Sequence, residues 1–93
     1  MTRNDFKANA KKSIDDFFAK IEELEAKKDK VSAETKAKYE RQLSALKASQ
    51  EDLIVKFKNL SEASDEKWEE TKEAFSSASE SFKEGFGKIK ALF

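Results

Sequence analysis

The chain has 93 residues, the size of one domain. Charged residues make up 41% of it and hydrophobic ones 38%, which is too polar for a membrane span and too regularly apolar for a disordered chain. Nineteen basic and nineteen acidic residues cancel, so no basic stripe points to nucleic acid. The balance drifts along the chain: eight cations meet seven anions over residues 1–31, six meet four over 32–61, and five meet eight over 62–93.

The first apolar run is Phe6, Ala10, Ile14, Phe17, Ile21 and Leu24. Its steps of three and four mark one face of a helix. Phe18 lies beside the stripe and widens it. Asp16 with Lys20, and Glu23 with Lys27, stand four apart on the outer face, each pair worth at most about 0.5 kcal/mol.

The second run is Tyr39, Leu43, Leu46, Gln50, Leu53, Phe57 and Leu60. It is a heptad seam with one polar position. A polar residue buried in such a seam fixes register at a cost in stability. The expectation here is instead a seam edge touching water, because Ile54 flanks the seam and shifts its centre.

The third run is Trp68, Phe75, Ala78, Phe82, Phe86, Ile89 and Leu92, with Phe93 last. Trp68, Phe75, Phe82 and Ile89 recur every seven residues, which holds one edge of a helix against a partner. Thr71, Ala78 and Gly85 supply small residues between the large ones, as interdigitating layers require.

Breaks between the runs are weakly marked. Proline is absent and the two glycines are Gly85 and Gly87. In Ser61-Glu62-Ala63-Ser64-Asp65-Glu66, Ser61 or Ser64 offers an N-cap followed by acidic residues in a first turn, where a helix dipole favours them. Ser32 offers a weaker N-cap inside the lysine-rich stretch 27–38. The heptad phase slips by one residue at each place, which marks either a turn or a local unwinding of a continuous helix. Two all-α architectures follow, of which the first is expected and the second is the alternative. One is a single domain over 1–93, an antiparallel, coiled-coil-like three-helix bundle with helices near 4–29, 33–61 and 65–92 and the break at 30–32 left open. The other is a long helix over about 4–61 with a shorter helix folded back on it, which needs a second chain.

Glu40-Arg41-Gln42-Leu43, Leu60-Ser61-Glu62-Ala63-Ser64 and Trp68-Glu69-Glu70, with the opening Met1-Thr2-Arg3, resemble a group of small bacterial coiled-coil proteins of unknown function. That resemblance covers most of the chain. It implies a charged helix, a short break and a Trp-containing helix, implies no catalytic residue, and favours the long-helix hairpin. The sequence departs from the group by lacking a glycine at the break and by its phenylalanine-rich end.

Without histidine or cysteine there is no histidine-based triad, thiol nucleophile, ordinary zinc site or Glu-x-x-His di-iron site. Gly85-Phe86-Gly87 lacks the flanks of a phosphate loop. Glu62, Asp65, Glu66, Glu69, Glu70 and Glu73 read as a solvated helix start, since a hard cation needs oxygens converging from a turn. No catalytic residue, cofactor or metal is therefore expected. The opening residues lack a signal peptide's apolar region, and a cytoplasmic location is expected.

The expected role is a non-enzymatic structural or protein-interaction module, meeting itself or another helical protein through its seams. The alternative is a peripheral lipid-surface protein. Its contacts would be Phe82, Phe86 and Phe93 on a Ser-rich, weakly charged C-terminal helix, a pattern similar to amphipathic lipid-packing sensors.

Overall fold

The computed structural model describes residues 2–92. Helix α1 runs Arg3–Lys27, α2 runs Ala33–Ser61 and α3 runs Trp68–Lys90. They form an all-α three-helix bundle whose Cα envelope measures 50 × 17 × 17 Å. The central helix in sequence, α2, runs antiparallel to both others and packs against each. The parallel pair α1 and α3 meet through Phe6 beside Trp68 and Phe17 beside Phe82.

The chain breaks at Lys28–Ser32, so α1 and α2 are separate helices rather than one long rod. A single 3₁₀ turn over Lys28–Lys30 ends the first helix, and Val31 is extended. Ser32 is the N-cap of α2: its Oγ accepts from the Thr35 amide at 3.3 Å and donates to the Thr35 hydroxyl at 3.0 Å. This satisfies one of the amides that a helix start leaves unpaired. At the far end of the bundle neither Ser61 nor Ser64 caps α3. Ser61 is the last residue of α2, and α3 starts at Trp68, three residues later than the acidic run suggests. Lys67 occupies the cap position without a capping side-chain hydrogen bond. A turn does the work instead, with the Lys67 amide donating to the Ser64 carbonyl and the Thr71 amide to the Lys67 carbonyl. Thr2 caps α1 in a reciprocal box with Asp5, a Thr-x-x-Asp signal at the very start of the chain.

All four members of the Trp68, Phe75, Phe82 and Ile89 row are buried, Phe82 and Ile89 completely. Phe17 stacks on Phe82 with ring centroids 4.2 Å apart and planes 17° apart. Phe6 meets Trp68 and Phe75 edge to face at 5.9 and 6.3 Å. Such pairs add about 0.5–1.5 kcal/mol beyond the area they bury. The small positions matter as well. A Cβ at Gly85 would lie 3.0 Å from Leu46 Cδ2, so the missing side chain lets α3 approach α2 closely.

Tyr39 lies wholly inside the bundle and its hydroxyl donates to the Leu24 carbonyl at 2.6 Å. The bond ties α2 to a carbonyl near the end of α1. Burial, with the charge of Glu23 adding, raises the Tyr39 phenol above its ordinary value. Because the folded state favours the neutral phenol, this contribution is complete below the unfolded value near pH 10 and is lost as pH rises through the raised one.

Two measurements test these elements. In urea titrations, Ser32→Ala is expected to cost about 1 kcal/mol, and Ser64→Ala to stay within about 0.5 kcal/mol of the parent. Tyr39→Phe is expected to cost about 1 kcal/mol at neutral pH through the lost hydrogen bond, and to flatten the fall in melting temperature expected of the parent above about pH 10.

Candidate functional site

Of the residues expected in the packing seams, Phe17, Ile21, Leu24, Tyr39, Leu43, Leu46, Leu53, Leu60, Trp68, Phe75, Phe82 and Ile89 are buried. Phe57 and Phe86 are half-buried against the same core. Of the three residues expected to meet lipid, the two described ones do not form one open surface. Phe82 is fully enclosed and in this closed bundle belongs to the core. Phe86 is covered by Lys20, whose Nζ lies 5.0 Å from the ring centre. Phe93 lies outside the described residues.

Gln50 is buried, at 5% exposure, rather than at a wet seam edge. The seam keeps its centre between Leu46 and Leu53, both essentially inaccessible, and it is Ile54 that turns outward, at 48% exposure. Phe18 behaves in the same way. It stands one position beyond buried Phe17 and is 51% exposed rather than widening the core. With Val55, at 53%, these are the large apolar side chains left open to solvent among the described residues.

Phe18 and Ile54 line one groove between α1 and α2, together with Ile21, Lys47, Gln50 and Glu51; its volume is about 400 Å³. The Gln50 Nε2 is buried there without a hydrogen-bond partner. Beyond the groove the outward face of α2 continues through Val55. At 100° per residue, Lys47, Glu51, Ile54, Val55 and Lys58 fall within a sector of about 100°, and Glu62, the C-cap of α2, continues it just past the helix end. All six are exposed. Lys47 pairs with Glu25 of α1, which also meets Lys28 at 3.5 Å. Glu51, Lys58 and Glu62 have no ion-pair partner among the described residues.

The other charged clusters are spread rather than convergent. Asp65 pairs with Arg3 at 2.7 Å and Glu70 with Lys67 at 3.4 Å. Lys27 hydrogen-bonds Glu23 and holds its carboxyl below the usual range. Among the described residues no group of three or more acidic side chains is placed to hold a metal ion. None of their helices is long and apolar enough to cross a membrane. Lys38, Arg41 and Lys88 flank a shallow groove between α2 and α3 with Gln42, Ala45 and Leu92, and all three cations are exposed to water.

The outward face of α2 is the feature that reading the seams missed. Its signal was present: Phe17-Phe18 and Leu53-Ile54-Val55 each place more large apolar residues together than one helix stripe can take in. Comparison with known protein families, curated proteins and solved structures found no match.

Replacing Gln50 with methionine keeps the volume and removes a buried donor without a partner. A penalty of about 1–3 kcal/mol attaches to such a group, so Gln50→Met is expected to raise the urea midpoint with an unchanged slope.

Proposed function

We propose that this chain is a non-enzymatic protein-interaction module whose docking surface is the outward face of α2 around Ile54 and Val55, with Phe18 at its edge. One observation carries the reading. The bundle satisfies its own heptad seams within one chain, yet three large apolar side chains stay about half exposed: Phe18 and Ile54 line one α1–α2 groove, and Val55 follows Ile54 on the outward face of α2. Core packing gives no reason for isoleucine and valine at consecutive positions next to buried Leu53. A contact surface does, because apolar residues ringed by charges are what a partner desolvates first. The lack of histidine and cysteine removes the commonest nucleophile–base and metal-ligand chemistry, which supports the non-enzymatic part of the reading.

Site-specific photo-crosslinking in the cells that naturally make the protein tests this. A photo-reactive residue in place of Val55 is expected to give a discrete protein adduct, and the same residue in place of exposed Ser76 on α3 is expected to give none. Equal labelling from both positions, or none from either, overturns the surface.

A further inference from the structure

We infer that the occupant of this surface is a second copy of the chain, docked antiparallel through α2 about a two-fold axis between Ile54 and Val55. The inference rests on the outward face of α2 being a docking surface, and the charges on that face name the partner. Read along α2 and its C-cap, the exposed stripe is Lys47, Glu51, Ile54, Val55, Lys58 and Glu62. About its midpoint the stripe is self-complementary. A two-fold axis there gathers Ile54 and Val55 of both copies at the centre and brings Glu51 onto Lys58 and Lys47 onto Glu62, each charge pairing occurring twice. No like charges within the stripe meet in this register. Parallel docking of the same stripe would instead set each charge against its own kind.

The free chain leaves these charges available. Glu51, Lys58 and Glu62 lack ion-pair partners among the described residues, and Lys47 has one exposed contact, to Glu25. Phe18 flanks the axis across the groove from Ile54 and enlarges the apolar centre. From Lys47 to Glu62 the stripe is about 22 Å long at 1.5 Å per residue. A contact of that length falls at the small end of protein interfaces, below about 1,200 Å² in total. The dimer is therefore concentration-dependent, and high salt weakens it by screening the exposed pairs.

Two charge reversals give a test with a distinctive signature. In Glu51→Lys homodimers, lysine would face Lys58 twice, and in Lys58→Glu homodimers, glutamate would face Glu51 twice. Mixing the two variants restores both pairs. Sedimentation equilibrium is expected to show the mixture associating about tenfold more tightly than either variant alone, with the gap closing in high salt. Both sites are exposed, so circular dichroism melts of each variant are expected to match the parent and separate lost pairing from lost folding. A mixture no tighter than its components overturns the inference. Crosslinking distinguishes failure of the dimer from failure of the surface. An adduct from Val55 at twice the chain's mass supports the dimer. An adduct with a different protein keeps the surface and overturns the second copy.

Discussion

Phe82 is the side chain on which the bundle closes. It is wholly enclosed and lies flat against Phe17, so one aromatic stack joins two helices that are not neighbours in sequence. Without α3, the apolar faces of α1 and α2 would form a two-helix groove with its floor open to water. The row from Trp68 to Ile89 fills that groove with one large side chain every two turns. Close approach between the layers depends on what is absent: Gly85 presents no Cβ to Leu46. The helix tolerates the lower propensity of glycine there, about 1 kcal/mol against alanine, because a larger residue would have to displace Leu46 in a fully packed layer.

The two ends of the bundle are fastened by different means. At the Ser32 end, the fastening is local and polar, with a serine cap and the buried Tyr39 hydroxyl on the Leu24 carbonyl. Such bonds fix a turn whose lysine-rich sequence has little apolar surface to bury. At the Trp68 end, the fastening is aromatic and cationic. Phe6 packs edge-on to Trp68, the Arg3 guanidinium lies 5.0 Å from the indole, and Lys7 lies 6.0 Å from it and reaches the Ser61 carbonyl. The exposed Arg3–Asp65 pair adds little by itself. Its use is to hold the guanidinium where the indole face attracts it.

The all-α class, the three apolar runs and most of the core were legible because heptad spacing survives in all three runs, whereas the number of helices was not. The break at Ser32 was hard to read because five turns of unbroken helix would carry Ile21 and Tyr39 to the same face. Periodicity therefore could not separate a turn from a rod. The break after Ser61 was easier to find and harder to place, since its acidic residues resemble a first helical turn while a backbone turn delays α3 to Trp68. Gln50 shows the limit of judging burial from neighbours. Ile54 looked able to pull the seam off the glutamine, but Leu46 and Leu53 on either side hold the seam centre and rotate Ile54 outward. Phe18 follows the same rule beside Phe17. Along a helix, the rotation is set by the whole row, and a single extra apolar residue at its edge is left in solvent.

That rule connects the interior of the bundle to its surface. Leu43, Leu46, Gln50, Leu53 and Leu60 fix the rotation of α2 from within, and the same rotation determines which residues face out. Had Ile54 entered the core in place of Gln50, α2 would turn by roughly 40° at 100° per residue. Lys47, Glu51, Val55, Lys58 and Glu62 would turn with it. The unpartnered Gln50 amide is thus the cost, within the bundle, of an arrangement that keeps Ile54 and Val55 side by side on the outside. A glutamine buried with its Nε2 unpartnered, beside an exposed apolar pair, makes little sense as packing alone. It is coherent when the surface has its own use, because the residues that stabilise the interior and those that form the contact then occupy separate faces of one helix.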